Sequence, residues 1–287
     1  MREKKYELIA LDMDGTLLDS GQRITPRAKT AVREILARGK QVVFATGRCR
    51  PQLEEYLECF PQMRYLICEN GACVCDLKTG EDLFRRALPQ QQVLRVMDAV
   101  EKEDVLAAFF IGNRSFMDRR TFLRLEEFGL ESYRAVFIKS AVWVEDLFSF
   151  YRDRPLEVEK IALFFPPGKR KAQDGLRRRA QACGRVLERI RTLPVTLAVS
   201  ASGNLEITGK DVNKGTGLKL LCGYLGLPLS KTAAVGDGEN DRELLQLAGL
   251  AVAMPVLPAP AGVAAPAVTV PDCDHDGAAI AMERYML

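Results

Sequence analysis

The segment Leu8-Ile9-Ala10-Leu11-Asp12-Met13-Asp14-Gly15-Thr16 joins an apolar run to two acidic residues and a Gly-Thr turn. The apolar run predicts a buried strand, and alternation in extended backbone sends the side chains of Asp12 and Asp14 the same way. Two carboxylates this close repel each other unless a cation neutralises them or one of them is protonated. Because open α/β sheets bind ligands at the carboxyl ends of their strands, the segment predicts a reactive site.

The chain on either side of this segment alternates between strand and helix patterns. Gln41–Ala45 and Tyr65–Cys68 are short apolar runs that predict strands, with helical spacing of apolar residues before each of them. The same pattern resumes with the apolar strand at Thr232–Val235. Strand-helix-strand order requires parallel crossovers, so the sequence predicts an α/β fold with a doubly wound, mostly parallel sheet.

The middle of the chain has a different pattern of secondary-structure elements. Paired strands flank Ser202-Gly203, which is typical of a hairpin turn. Hairpins indicate an antiparallel α+β module inserted into the parallel domain. We therefore predict a core formed by residues 1–83 and 209–287, with an inserted α+β domain at 84–208.

Composition excludes several function classes. The chain has 287 residues and a formal net charge of +3, which disfavours a nucleic-acid partner. Five prolines in the apolar stretch 249–271 disfavour a membrane helix, and the polar N-terminus disfavours a signal peptide. We therefore expect a cytoplasmic protein whose eight cysteines are reduced. Cys73-Val74-Cys75 is not a C-x-x-C pair, and no spacing typical of zinc sites is found near it.

Four polar clusters fall at predicted strand-helix junctions of the parallel sheet. They are Asp12 with Asp14, Thr46 with Gly47, Lys214, and Asp237 with Asn240 and Asp241. A parallel sheet gathers such junctions at one edge, so we expect a single site. A nucleophile, an acid/base group, donors for phosphoryl oxygens and carboxylates for a hard cation are the groups that phosphoryl transfer needs. Magnesium prefers oxygen ligands, which makes Mg²⁺ the expected cofactor.

Each cluster taken alone has a simpler interpretation. Aspartate pairs after strands often form turns, Lys214 alone is a solvated lysine, and the loop 236–241 could cap the following helix. Their common order and position favour the site.

The motifs DMDGT at 12–16, TGR at 46–48, Lys214 followed by Gly215, and GDGEND at 236–241 resemble those of the haloacid dehalogenase (HAD) superfamily of phosphatases. The insert resembles the type-IIB cap of the Cof-like subfamily. This resemblance implies a Rossmann-like core with an inserted cap. The sequence departs from the subfamily at Pro255-Val256-Leu257-Pro258, where a Gly-Asn-Ala turn is usual, so the shape of that loop stays open.

The resemblance also implies residue roles. Asp12 resembles the nucleophile that forms an aspartyl-phosphate, and Asp14 resembles the general acid and base. Magnesium would be held by Asp12, by the backbone carbonyl of Asp14 and by Asp237. The other implied roles are phosphate binding by Thr46, Gly47 and Lys214, support by Asn240 and Asp241, and substrate contact by Arg48 and Asn70.

The function implied is a magnesium-dependent hydrolase of phosphomonoesters, acting on a small metabolite such as a sugar phosphate or a phosphorylated cofactor. Two alternatives stay open: a phosphomutase with the same chemistry, and a non-catalytic protein that binds a phosphorylated metabolite. The sequence predicts neither the physiological substrate nor the oligomeric state.

Overall fold

A computed structural model describes residues 6–166, 172–199, 204–255 and 268–287. Within these ranges the chain forms fourteen strands and ten α-helices. The strands are β1 (Leu8–Leu11), β2 (Gln41–Ala45), β3 (Tyr65–Cys68), β4 (Cys73–Asp76), β5 (Asp82–Arg85), β6 (Leu106–Ile111), β7 (Arg114–Asp118), β8 (Ala141–Val144), β9 (Lys160–Phe164), β10 (Val195–Val199), β11 (Leu205–Gly209), β12 (Thr232–Gly236), β13 (Leu250–Ala253) and β14 (Val268–Thr269). The helices are α1 (Pro26–Ala37), α2 (Glu54–Leu57), α3 (Gln90–Val100), α4 (Arg119–Arg124), α5 (Arg134–Ser140), α6 (Leu147–Asp153), α7 (Ala172–Ile190), α8 (Lys214–Leu225), α9 (Arg242–Leu247) and α10 (Gly277–Tyr285).

The described residues divide into two compact units. The first lies within Met1–Arg48, Leu53–Arg85 and Val212–Leu287, and the second lies within Cys49–Gln52 and Arg86–Asp211. The assignment of these parts as a catalytic core and a cap stays a prediction.

The first unit is built on an eight-stranded sheet in the order β14-β13-β12-β1-β2-β3-β4-β5. The six strands from β14 to β3 run parallel, and β4 and β5 are antiparallel to their neighbours. The chain moves from β1 towards one edge of the sheet and later returns to β12 on the other side of β1. The strand order therefore reverses beside β1, which is where open α/β sheets form their ligand crevice.

Helices cover both faces of this sheet, as the continuous apolar strands require. On β1, Ile9 and Leu11 belong to the hydrophobic cluster that includes the buried residues of α1 and α10, whereas Leu8 and Ala10 belong to the cluster that includes α8 and α9. This is the predicted α/β architecture with a doubly wound, mostly parallel sheet, which the structure confirms.

The second unit has a six-stranded sheet in the order β10-β11-β9-β6-β7-β8, in which only the β7–β8 pair is parallel. One face packs against α3 and α7, through residues such as Val96 and Val186. The other face packs against residues of α5 and the preceding turns, such as Phe137 and Phe128. This unit is therefore an α+β module.

Two features of the first unit differ from or fall outside the sequence prediction. The strands β4 and β5 were not predicted, because each is short and carries an acidic residue. In the departure from the subfamily pattern, Val256-Leu257-Pro258 lies outside the described residues.

Among the residues that the structure describes, we find no helix with the length and apolar character that a membrane span requires.

Candidate active site

Three of the predicted clusters follow adjacent parallel strands. Asp12 follows β1, Thr46 follows β2 and Asp237 follows β12, and β1 lies between the other two strands in the sheet. Asp12 stays in register with β12 because its backbone N–H donates to the carbonyl of Val235 at 3.0 Å. The carboxyl ends of the strands thus bring segments more than 200 residues apart to one edge of the sheet.

The centre of the site is a fully buried lysine. Lys214 is 0% exposed, and its Nζ donates to Asp12 Oδ1 at 2.6 Å and to Asp241 Oδ1 at 2.7 Å. It is the first residue of α8, whose start is fixed by a capping box between Asn213 and Thr216. This cap directs the first turn of the helix at the two carboxylates.

The glycine after Lys214 lets two helices approach closely. A Cβ atom on Gly215 would lie 2.5 Å from the backbone carbonyl of Glu243, at the start of α9. A larger residue would therefore push α8 away from α9. The Lys-Gly pair that the sequence singled out combines a charged group with a close helix contact.

Asp241 organises the loop that follows β12. Its Oδ2 accepts hydrogen bonds from the backbone N–H groups of Asp237 at 3.1 Å and Gly238 at 2.9 Å. Asp237 Oδ1 in turn accepts from the hydroxyl of Thr16 at 3.1 Å. The carboxylate oxygens of Asp12, Asp237 and Asp241 come within 4.8 Å of one another. These three residues could hold a metal ion.

Gly15 makes room for this cluster. Its φ of +84° is rarely adopted by other residues, and a Cβ there would lie 2.4 Å from Asp237 Oδ2. The glycine of the DMDGT motif therefore serves both the turn and the close approach of Asp237.

Burial and charge raise the pKa values of Asp12 and Asp237. Burial, followed by repulsion from Asp241, raises the pKa of Asp12 well above its ordinary value, and Lys214 offsets this only in part. The pKa of Asp237 is raised by the same two causes in the same order. Burial alone would lower the pKa of Lys214, but the carboxylates of Asp12 and Asp241 raise it above its ordinary value, so the ammonium stays charged.

Three buried carboxylates and one ammonium leave an excess of negative charge. A divalent cation with a preference for oxygen ligands would remove that excess, so the donor set fits Mg²⁺. The cluster can thus combine a nucleophilic carboxylate with cationic charge beside it.

A second group of predicted residues forms around Asp14. Arg48 Nε donates to Asp14 Oδ2 at 2.9 Å, and Arg48 Nη2 donates to Asp14 Oδ1 at 2.5 Å. The guanidinium also donates to Gln22 Oε1 and lies 5.6 Å from the ring centre of Tyr56. The side chain of Arg48 is 7% exposed, whereas that of Asp14 is 36% exposed. Arg48 is therefore fixed, and it holds Asp14 by both oxygens.

The remaining predicted residues extend this second group. The hydroxyl of Thr46 accepts from the backbone N–H of Arg48 at 3.1 Å, and half-buried Gly47 lies between them in the chain. The carbonyl of Thr46 accepts from the N–H of Asn70 at 3.0 Å. Asn70 Oδ1 accepts from Asn240 Nδ2 at 3.3 Å. The four predicted clusters thus form two bonded groups, one around Lys214 and one around Arg48.

Sequence reasoning missed two contributors. Thr16 was part of the DMDGT motif, but its contact with Asp237 joins positions 221 residues apart and has no local signal. Gln22, which accepts from Arg48, carries no sequence signal that we can identify.

Comparisons with known proteins identify the family of this chain. Residues 9–282 match the haloacid dehalogenase-like hydrolase family. The chain is 29% identical to the phosphatase YwpJ of Bacillus subtilis, over 86% of this chain and 89% of that protein. It is 31% identical to the HMP-PP phosphatase of Serratia proteamaculans, over 87% of this chain and 84% of that protein.

Solved structures show the same fold. A haloacid dehalogenase-like hydrolase from B. subtilis superposes with a TM-score of 0.77 at 24% identity, covering 96% of this chain and 99% of that one. The subclass IIB sugar phosphatase BT4131 also gives a TM-score of 0.77, at 22% identity, covering 98% of this chain and 100% of that one.

Proposed function

The chain is a phosphatase-type enzyme of the haloacid dehalogenase-like hydrolase family, and we propose that it hydrolyses a small phosphomonoester with Mg²⁺, through an aspartyl-phosphate on Asp12. The observation that carries the proposal is the buried Lys214, which bridges Asp12 and Asp241 beside Asp237. A nucleophilic carboxylate needs neighbouring positive charge when it approaches a phosphate, because both groups are anionic.

The cation would be held by the carboxylates of Asp12 and Asp237 and by the backbone carbonyl of Asp14, with Asp241 close to the first two. When bound, Mg²⁺ would neutralise charge on the phosphoryl oxygens and on the carboxylates. Asp241 has a positioning role, since it fixes Lys214 and the backbone of Asp237 at the same time.

The first half of the reaction uses both aspartates of the DMDGT motif. An oxygen of Asp12 attacks phosphorus, the bond from phosphorus to the ester oxygen breaks, and Asp14 gives a proton to the departing alcohol. In the second half Asp14 takes a proton from water, whose oxygen attacks the phosphorus of the aspartyl-phosphate. Inorganic phosphate leaves and the carboxylate of Asp12 is restored.

Contacts around Asp14 support a positioning role for Arg48 in addition to substrate contact. Both oxygens of Asp14 accept hydrogen bonds from Arg48, so the carboxylate must give up at least one of them to reach the leaving oxygen. The hydroxyl of Thr46, the N–H of Gly47 and the ammonium of Lys214 are proposed to bind the phosphoryl oxygens. Asn70 is proposed to contact the substrate.

The substrate class is a small phosphorylated metabolite. Relatives and structural neighbours named as an HMP-PP phosphatase and a sugar phosphatase support this class. The cytoplasmic location and the absence of a nucleic-acid partner stay predictions.

A product analysis tests the proposal. The purified protein is incubated with a panel of sugar phosphates and phosphorylated cofactors, with Mg²⁺ or with a chelator, and inorganic phosphate and sugar isomers are both measured. Release of phosphate that requires Mg²⁺ supports the hydrolase. An isomeric sugar phosphate without phosphate release would establish a phosphomutase instead, and binding without turnover would establish a metabolite-binding protein.

A further inference from the structure

Three cysteines and an aspartate converge on one face of the sheet in the first unit. Cys68 pairs with Cys73 across β3 and β4, and Cys75 pairs with Asp82 across β4 and β5. Directly paired residues share a face of a sheet, and so do residues two apart on one strand. The register of three adjacent strands therefore places all four side chains together.

The distances within this cysteine cluster (Cys68, Cys73, Cys75 and Asp82) are short. Cys73 Sγ lies 3.3 Å from Cys75 Sγ, and Cys68 Sγ lies 3.9 Å from Cys75 Sγ. The thiols of Cys73 and Cys75 both donate to Asp82 Oδ1 at 3.2 Å. The three sulfurs thus lie mutually within 4.8 Å, and one oxygen of Asp82 contacts two of them.

Two of the three sulfur separations are close to those of a tetrahedral thiolate site. Zinc binds cysteine sulfur at about 2.3 Å, so two sulfurs on one ion lie about 3.8 Å apart. The observed sulfur separations of 3.3 and 3.9 Å bracket that value. A carboxylate oxygen is also a normal fourth ligand of zinc.

Packing of small apolar side chains would account for three buried cysteines, but not for the contact of one aspartate oxygen with two of the thiols. The Asp82 carboxylate turns one oxygen towards two thiols, while its other oxygen accepts from Nε of Arg85 at 3.1 Å. Carboxylates that ligate metals are themselves hydrogen-bonded, and Arg85 provides such a bond to Asp82. The Asp82 side chain is 23% exposed, which gives an ion a path from solvent.

We propose that Cys68, Cys73, Cys75 and Asp82 form a structural site for a thiophilic divalent cation such as Zn²⁺, separate from the carboxylate cluster around Lys214. On binding, each ligating thiol releases its proton to solvent and donates a sulfur electron pair to the ion, with no change of oxidation state. The site joins β3, β4 and β5, the three strands at one edge of the sheet.

Cobalt titration of the full chain tests the proposal. Reduced, metal-free protein is titrated with Co²⁺ in excess Mg²⁺, because cobalt-thiolate bonds give a near-ultraviolet charge-transfer band that carboxylate ligands do not give. We expect one equivalent of Co²⁺ to produce the band and one equivalent of Zn²⁺ to abolish it. Cys75→Ser should remove or strongly weaken the band, and Cys222→Ser, at a buried cysteine of α8, should leave it unchanged.

A second variant guards against misfolding. Asp82→Asn changes a partly exposed side chain, and we expect it to keep the wild-type circular dichroism while weakening Zn²⁺ binding by about 10-fold or more, measured against a chromophoric chelator. Absence of the band in reduced wild-type protein would overturn the proposal, as would a band that Cys75→Ser leaves intact. The protein as isolated could also have a mass lower by two hydrogens, with the change mapped to a disulfide within the cysteine cluster. That result would overturn the metal site and indicate a redox pair instead.

Discussion

Removing the charge of Asp12 is expected to stabilise the metal-free protein while it abolishes turnover. The carboxylates of Asp12, Asp237 and Asp241 lie within 4.8 Å of one another, and Lys214 binds two of them. At an effective dielectric constant of about 20, each like-charge pair at that distance costs about 3.5 kcal/mol. At the same dielectric constant, the attraction between Asp12 and Lys214 at 2.6 Å contributes about 6 kcal/mol of stabilisation. Two repulsions thus offset the one attraction, and burial of the Asp12 carboxylate adds a further cost.

We therefore expect Asp12→Asn to raise the unfolding free energy by about 1–3 kcal/mol in a chelator, since the variant removes a buried charge and leaves Lys214 paired with Asp241. Thermal unfolding followed in chelator and in Mg²⁺ measures this as an increase of a few degrees in Tm. Added Mg²⁺ should stabilise the wild type more than the variant, because the variant has lost a ligand.

A second buried aspartate provides the control. Burial alone would raise the pKa of Asp76, but hydrogen bonds from Arg64 and from the backbone N–H of Lys78 lower it below its ordinary value. Asp76→Asn should therefore lower Tm in both buffers. A melting temperature of Asp12→Asn at or below that of the wild type in chelator would show that the carboxylates do not destabilise one another.

Three further predictions follow from the same geometry. Arg48→Ala should lower kcat for an aryl phosphate by about 10-fold or more, with a smaller change in KM, because Asp14 loses the two hydrogen bonds that position it. A rise in KM alone, measured by steady-state kinetics, would contradict this. Burial and repulsion from Asp241 raise the pKa of Asp12 in the folded state. The unfolding free energy of the wild type in chelator, relative to that of Asp12→Asn, should therefore be greatest at acidic pH and should fall as pH rises through the raised pKa. Melting curves across pH that show the opposite slope would refute it. Gly15→Ala should lower Tm and weaken Mg²⁺ activation, because its Cβ would displace Asp237; unchanged magnesium titrations would contradict this.

The sequence predicted the parts of the fold that follow from local patterns. The bounds of β1, β2 and β3 match the predicted strands residue for residue, because continuous apolar runs are what a sheet covered on both faces requires. The polar clusters at the strand ends were equally visible, since chain order in a parallel sheet determines which loops share an edge.

The parts that could not be predicted depend on register and on contacts across the chain. Nothing local to Arg48 indicates that it binds Asp14 by both oxygens. The strands β4 and β5 are recognisable only once they are paired, and a bulge between Val74 and Cys75 shifts that pairing. No zinc-type spacing in the sequence marks the cysteine cluster, because its residues come from three strands and include the aspartate Asp82.

The aspartyl-phosphate mechanism is tested most directly by locating the covalent phosphate. Wild-type protein in Mg²⁺ is mixed with an aryl phosphate, quenched in acid within one turnover, digested and analysed by mass spectrometry. We expect phosphate on the peptide that contains Asp12, labile to hydroxylamine and absent from Asp12→Asn. Phosphate on another residue, or wild-type turnover by Asp12→Asn, would contradict it.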